Sequence, residues 1–156
     1  MTPQQELAMA FKIASEAHLK QKDKAGLPYI MHTTKVMHYV KSDDLQVKAI
    51  AVMHDLLEDC PKWTIQRLRE VGFSHRVIRG VYNLTKKPGQ TVEEYTKLIL
   101  TNYDSILVKL ADLRHNSDIR RLKGLREKDF ERLVKYQTMY HILNTEKNRL
   151  EAINNR

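Results

Sequence analysis

The chain has 156 residues, of which 42% are hydrophobic and 29% are charged, and its 27 basic and 19 acidic residues give a net charge of +8. This length suits one domain with a substantial core. Because there is neither a long apolar run nor a basic, apolar leader, we expect one cytoplasmic domain over residues 1–156 with no membrane-spanning helix. The single cysteine, Cys60, excludes an internal disulfide and a cysteine-based zinc cluster, so a bound metal would need histidines and carboxylates. The basic surface attracts anions, but its charge does not distinguish nucleic acid from phosphorylated metabolites or acidic membranes.

Apolar residues recur at helical spacing through the first half of the chain. Residues 45–58 are apolar nearly all round, which predicts a central helix buried by its neighbours. Two stripes precede it, formed by Leu7, Ala10, Phe11 and Ala14 and by Val36, Met37 and Val40.

The second half continues in the same way. Thr64 and Thr91 are predicted N-caps, Gly72 closes the helix that Thr64 opens, and "KKPGQT" is a loop. The apolar stripes are Ile65, Leu68 and Val71; Val77, Ile78, Val81 and Leu84; Val92, Tyr95, Leu98 and Ile99; Ile106, Leu107 and Leu110; and Phe130, Leu133, Val134, Tyr140 and Leu143. The last stripe predicts a long final helix that frays in "NRLEAINNR". Since no segment alternates as a strand does, we predict an all-α bundle of about seven to eight helices.

The segment "AVMHDLLEDCP", residues 51–61, carries four groups that can bind metal or move protons. Positions four apart share one face of a helix, so His54 pairs with Glu58 and Asp55 with Asp59. Unpaired buried carboxylates are costly, and a bound cation would account for them. The alternative is that the helix ends near Pro61 and its polar residues meet solvent.

Two further segments supply matching groups. In "KLADLRHN", Asp112 and Asn116 lie four apart behind an apolar stretch, although Asp112 could instead be a surface residue paired with Lys109 or Arg114. In "DKAGLPYIMH", a turn precedes His32, which alone would more often be structural. His32, His54, Asp55 and Asp112 together form a ligand set that suits Mn²⁺, Fe²⁺ or Zn²⁺ and leaves positions open for water and substrate.

These three segments resemble the HD-domain metal-dependent phosphohydrolases, and more narrowly the hydrolase domain of the RelA/SpoT alarmone enzymes and their small stand-alone relatives. The shared motifs read "KAGLPYIMH", "HDLLED" and "KLADLRHN" here, in the same order, and the resemblance runs from about residue 5 to residue 145. It implies a helical HD domain that removes the 3′-pyrophosphate from guanosine tetraphosphate or pentaphosphate.

The resemblance also implies roles for individual residues. His32, His54, Asp55 and Asp112 match the family's metal ligands, with Mn²⁺ as the usual ion, and Glu58 and Asp59 match the acidic pair that activates water. Lys24 and Asn116 match residues that contact the nucleotide. Further candidates for substrate contact are Lys86, Tyr95, Arg120 and Tyr136. Lys87 and Arg121 are expected to be plain surface, and Cys60 a small packing residue.

One position departs from the pattern. Alarmone hydrolases commonly have an Arg-Lys pair before the Gly-x-Pro-Tyr turn, and this chain has Asp23 and Lys24. A carboxylate cannot replace a guanidinium that stacks on a base. The expected partner is a phosphorylated nucleotide rather than nucleic acid. Two alternatives stay open: an HD phosphatase or phosphodiesterase acting on another nucleotide, including cyclic ones, and a non-catalytic nucleotide-binding module.

Overall fold

The computed structural model describes residues 1–155, and most of these residues are helical. The helices are α1 Pro3–Ala17, α2 Ile30–Tyr39, α3 Leu45–Met53, α4 Leu56–Asp59, α5 Ile65–Val71, α6 His75–Leu84, α7 Val92–Leu100, α8 Tyr103–Asn116, a 3₁₀ turn Ile119–Arg121, and α9 Glu127–Asn154. Over residues 1–155 the backbone forms no strand beyond an isolated bridge between Lys22 and Pro28. The prediction of an all-α fold is confirmed.

Helix α3 forms the centre of the bundle. Val47 and the run from Ala49 to Met53 are buried, and the helix packs against α1, α2, α6 and α8. Each large apolar side chain buried in this way contributes about 1.5–3 kcal/mol relative to an exposed one. The predicted buried central helix is therefore present, with neighbours on all sides.

The predicted helix ends are also present. The Thr64 hydroxyl accepts a hydrogen bond from the backbone N–H of Arg67 at 3.2 Å, and the Thr91 hydroxyl accepts one from Glu94 at 3.1 Å. Gly72 closes α5 in the left-handed region with φ 104°, where a side chain would be strained.

The apolar run 45–58 is not one helix, which corrects the prediction. Helix α3 ends at Met53, His54 and Asp55 form a turn, and the single-turn helix α4 begins at Leu56. Asp55 has φ −102° and ψ 1°, outside the helical region. The pairing of faces expected from an unbroken helix therefore does not apply at this point of the chain.

Helix α9 lies largely on the surface. Only Asp129 and Leu143 are buried among its 28 residues, and Phe130 and Val134 are 54% and 67% exposed. The helix continues to Asn154, so most of the segment where we expected fraying, residues 148–156, is helical. None of the helices in residues 1–155 has the length and apolar character needed to cross a membrane.

Candidate metal centre and its cavity

Four side chains from three parts of the chain meet at one point. His32 comes from the first turn of α2, His54 and Asp55 from the break between α3 and α4, and Asp112 from α8. One nitrogen or oxygen from each of the four lies within 4.8 Å of the others. The sequence predicted this set, and the structure brings all four members together.

The break in the central helix is what lets adjacent residues converge. In a continuous helix neighbouring side chains diverge by about 100°. Here His54 Nε2 and Asp55 Oδ2 lie 2.9 Å apart, while His54 Nε2 lies 3.3 Å from Asp112 Oδ1. His32 Nε2 lies 3.1 Å from the same Asp112 oxygen and 3.7 Å from Asp55 Oδ2.

The donor atoms fit a divalent cation. His54 Nε2 is buried close to the Asp55 and Asp112 carboxylates but has no well-directed hydrogen bond to either, which is a costly state for a ring nitrogen. Two imidazoles and two carboxylates form a mixed nitrogen and oxygen set that first-row divalent ions accept. A cation among these four atoms would give the unpaired nitrogen its partner.

Each of the four side chains is held from behind by a second contact, as is usual for metal ligands. His54 Nδ1 lies 2.8 Å from the carbonyl oxygen of Ala51, so it donates there and leaves Nε2 free to face the centre. His32 Nδ1 lies 2.7 Å from Nδ1 of His115. The Tyr29 hydroxyl donates to Asp55 Oδ2. These contacts fix how the rings and the carboxylate point.

Asp112 has two such contacts. Lys109 Nζ lies 2.9 Å from Oδ2, and the side-chain amide of Asn116 donates to Oδ1 at 2.9 Å. The surface ion pair that the sequence left open as an alternative is therefore formed, but at a buried carboxylate that also faces the two histidines. Burial alone would raise the pKa of Asp112, but Lys109 and His54 outweigh it and hold the pKa well below its usual value.

The same electrostatics act on His54. Burial alone would lower its pKa, but the carboxylates of Asp55 and Asp112 outweigh burial and raise the pKa well above the ordinary value. The cluster therefore attracts positive charge, whether a proton or a metal ion.

A cavity of about 370 Å³ opens beside the cluster, within the range of small-ligand sites. Glu58 and Asp59 line it together with Asp55 and Asp112. Burial raises the pKa of both Glu58 and Asp59, which brings each carboxylate closer to the range where it can exchange protons near neutral pH.

The predicted substrate contacts divide into two groups. Lys24, Asn116 and Tyr136 line the cavity. Lys86, Tyr95 and Arg120 do not: the backbone N–H of Lys86 donates to Glu58, the buried Tyr95 hydroxyl donates to the Leu84 carbonyl at 2.8 Å, and the 85% exposed Arg120 pairs with Asp118.

Arg121, expected to be plain surface, lies in the cavity wall. Its Nη2 is 3.2 Å from Asp23 Oδ2, and its Nη1 donates to the His115 carbonyl at 3.1 Å and to Asn116 Oδ1 at 3.3 Å. Asp23, the position that departs from the family pattern, is thus the ion-pair partner of an arginine 98 residues away. No local spacing in the sequence marks this contact.

Sequence reasoning also missed four groups behind or beside the site: His115, Arg132, Gln21 and His18. Only His115 had a signal, because it lies one residue before Asn116 in the "KLADLRHN" motif. Arg132 lines the cavity, and Gln21 donates to Asp59 at 2.9 Å. Cys60 is buried as expected, and burial together with Asp59 and Asp55 raises the pKa of its thiol.

In this all-α bundle a His-Asp dipeptide follows a buried helix and meets a histidine and an aspartate from two other helices. This arrangement defines an HD-domain protein. The comparisons with known proteins narrow this class. The chain is 34% identical over 159 residues to the guanosine-3′,5′-bis(diphosphate) 3′-pyrophosphohydrolase of Haemophilus influenzae, covering 90% of this chain and 23% of that protein. It is 32% identical over 141 residues to the protein of that name from Aquifex aeolicus, covering 84% and 20%.

The bifunctional (p)ppGpp synthase/hydrolase SpoT of Escherichia coli is 32% identical over 133 residues, which cover 77% of this chain and 18% of that protein. No protein-family model matches the chain. Over most of its length the chain is related to these RelA/SpoT-type proteins. It spans about a fifth to a quarter of the length of the curated relatives it matches.

Proposed function

We propose that this protein is a metal-dependent pyrophosphohydrolase that removes the 3′-pyrophosphate from guanosine tetraphosphate, guanosine pentaphosphate or a related alarmone nucleotide. The observation that carries the proposal is the convergence of His32, His54, Asp55 and Asp112 beside two carboxylates in one cavity. Relatives whose names state this reaction support the choice of substrate.

The four converging side chains would hold the ion, and we propose Mn²⁺, with Fe²⁺ and Zn²⁺ as other ions that such ligands accept. A divalent ion bound there supplies positive charge that offsets the phosphates and makes a nearby water easier to deprotonate.

Glu58 and Asp59 are the proposed proton acceptors. Water adds to the phosphorus that is bonded to the 3′ oxygen, and its proton passes to one of these carboxylates. The bond from phosphorus to the 3′ oxygen breaks with its electron pair on that oxygen, which then takes the proton from the carboxylate. The products are pyrophosphate and a nucleotide with a free 3′ hydroxyl. A carboxylate whose pKa is raised by burial is a better base near neutral pH than one with an ordinary pKa.

The outer wall of the cavity would hold the rest of the nucleotide. Lys22, Lys24, Arg121 and Arg132 place four cationic side chains around the opening, and Tyr136 offers an aromatic face. Guanidinium and ammonium groups bind phosphate oxygens through charge-assisted hydrogen bonds. Asn116 reaches both the metal cluster and Arg121, so it joins the reacting end of the cavity to this wall.

The test is a product assay with Mn²⁺-loaded protein. Guanosine tetraphosphate, its adenosine counterpart, and a panel of ordinary and cyclic nucleotides are incubated separately, and the products are separated by chromatography. We expect pyrophosphate from the 3′-pyrophosphorylated compounds alone. Orthophosphate or an opened cyclic ring from the other nucleotides would instead identify a phosphatase or phosphodiesterase, and bound nucleotide without turnover would identify a binding module.

Two substitutions separate metal binding from chemistry. Asp55→Ala should lose bound metal and activity together, whereas Glu58→Ala should keep the metal and lose turnover. The matched control is Glu70→Ala on α5, where the glutamate accepts a bond from Gln66 on an exposed face and lies outside the cavity. Metal content is measured by elemental analysis of the purified proteins. Full activity in Glu58→Ala would overturn its assignment as a proton acceptor.

A further inference from the structure

A chain of two hydrogen bonds leads from a buried histidine to one of the proposed proton acceptors. His18 Nδ1 lies 2.7 Å from Gln21 Oε1, and Gln21 Nε2 donates to Asp59 Oδ2 at 2.9 Å. His18 is 1% exposed, and its Nε2 has no hydrogen-bond partner. Neither His18 nor Gln21 lines the cavity, so neither is placed to touch substrate.

The direction of the chain follows from the donors and acceptors. An amide oxygen can only accept, so Nδ1 of His18 must carry a hydrogen and donate to Gln21. The Asp59 carboxylate settles which end of the Gln21 amide faces it, because a flipped amide would present an oxygen to a carboxylate. Nε2 of His18 is the ring nitrogen that this bond leaves without a partner.

The backbone holds the middle of the chain in place. The backbone N–H of Gln21 donates to the His18 carbonyl at 2.9 Å, and the backbone N–H of Tyr29 donates to the Gln21 carbonyl at 2.9 Å. Tyr29 in turn holds Asp55 of the metal cluster through its hydroxyl. The turn after α1 therefore contacts Asp59 through Gln21 and Asp55 of the cluster through Tyr29.

We propose that Gln21 is a positioning residue that holds Asp59 oriented toward the attacking water, and that His18 fixes Gln21 in the orientation that does so. The inference rests on the proposed function, since it concerns the carboxylate to which that function assigns proton transfer. By binding Oδ2, the amide leaves Oδ1 of Asp59 as the oxygen free to accept a proton.

The rival explanation is that Gln21 only fills space. The two explanations differ in what they require of its end group. A spacer tolerates any side chain of the same shape, whereas a donor to a carboxylate does not tolerate an acceptor. Gln21→Glu keeps the shape and replaces the donor by a second carboxylate. Gln21→Met keeps the length and removes the donor without adding charge.

The experiment measures kcat and KM on the substrate that the wild-type protein hydrolyses, together with bound metal and the melting temperature. General bases contribute about 10²–10⁴-fold to rate, so loss of orientation in Gln21→Met should lower kcat about 10-fold, and the introduced carboxylate in Gln21→Glu should lower it about 100-fold or more. We expect KM and metal content to stay near wild type, since neither Gln21 nor His18 lines the cavity.

The matched control is Gln66→Glu. Gln66 Nε2 also donates to a carboxylate, that of Glu70 at 3.2 Å, but this pair lies on the exposed face of α5. The control should keep wild-type kcat. A Gln21→Glu protein that is folded, metal-loaded and as active as Gln21→Met or the wild type would overturn the proposal. A wild-type protein that hydrolyses nothing in the panel would instead overturn the proposed function.

A second measurement tests the His18 step without any activity. The ¹⁵N chemical shifts of the His18 ring identify which nitrogen carries the hydrogen, and we expect Nδ1 in the wild-type protein at neutral pH. A ring protonated only at Nε2 cannot donate to Gln21 and would overturn the role given to His18.

Discussion

Lys109 is the cation on which the stability of the metal-free cluster depends most directly. Its side chain is 16% exposed, its ammonium lies 2.9 Å from Asp112 Oδ2, and that carboxylate is itself 5% exposed. At this separation the attraction between the two charges is about 6 kcal/mol for an effective dielectric constant of about 20. Desolvation of both groups cancels part of that attraction in the intact pair.

The perturbation is Lys109→Met, which keeps the apolar stem and removes the charge. Asp112 is then a buried carboxylate without its cation, and removal of one partner of such a pair costs about 3–5 kcal/mol. For a chain of this size each kcal/mol shifts the melting temperature by about 2–4 °C, so we expect a fall of about 6–20 °C in chelator.

The assay is thermal unfolding followed by circular dichroism, in chelator and again in excess Mn²⁺. With the positive charge of Lys109 gone, a bound cation becomes the main compensation for Asp112, so Mn²⁺ should raise the melting temperature more in the variant than in the wild type. At a free ion concentration of about 100 times Kd, binding adds about 2.7 kcal/mol to stability.

The control is Lys97→Met, which breaks an exposed pair with Glu93 at 3.8 Å and should change stability by no more than about 0.5 kcal/mol. A Lys109→Met protein that melts within 2 °C (roughly 1 kcal/mol or less) of the wild type in chelator would refute the reasoning, because Asp112 would then be stable in the interior without its cation.

Other regions give further predictions. Burial alone would raise the pKa of Asp44, but Arg76 and the backbone at the start of α3 lower that pKa below 3.8. The ionised Asp44 therefore stabilises the fold fully above this pH, and the stabilisation is lost as the pH falls. Asp44→Asn should lower the melting temperature at pH 7, and the two melting temperatures should converge in acid. Gly80→Ala should destabilise, because the new methyl would lie 2.8 Å from Ile50 Cγ1, and overpacking costs about 1–3 kcal/mol against about 1 kcal/mol gained in helix propensity. Arg121→Gln should raise KM about 10-fold with little change in kcat, since it removes a charge-assisted bond worth about 1.5–3 kcal/mol and none of the four converging side chains.

Each of these predictions has a partner variant. Asp43→Asn removes an exposed charge next to Asp44 and should leave the acid behaviour unchanged. Ile50→Val removes the methyl nearest to Gly80, so the double variant should be more stable than Gly80→Ala plus Ile50→Val taken additively. Lys123→Gln removes a nearby exposed charge outside the cavity and should keep the wild-type KM; an equal rise there would attribute the Arg121 effect to overall charge.

Most of the fold followed from helical spacing, since caps such as Thr64 and Thr91 and the apolar stripes are local properties of the chain. The break after Met53 did not, because an apolar run continues unbroken across it and only the Asp55 backbone departs from helix. The cluster of His32, His54, Asp55 and Asp112 was predicted because each of these residues lies in a recognisable motif. Its mutual geometry depends on the break and could not be predicted from spacing on one helix.

The side chains of the cavity wall were predicted less well than the four converging side chains. Arg120 and Arg121 are adjacent and chemically identical, yet one is in solvent and the other pairs with Asp23. Which arginine pairs with Asp23 depends on how the 3₁₀ turn after α8 packs against the turn after α1. The spacing of residues in the sequence does not show that packing. Lys86 and Tyr95 show the converse: their positions near functional motifs in sequence do not bring their side chains to the cavity.

The break between α3 and α4 lies in the core, whereas the Asp23–Arg121 pair joins two surface turns. Neither turn contributes a side chain to the apolar core, so substitutions there change the cavity wall without removing a core residue. His54 and Asp112 have less freedom, since both are buried beside core residues. A change at Asp23 would therefore alter how the cavity wall meets a ligand while the four converging side chains stay in place.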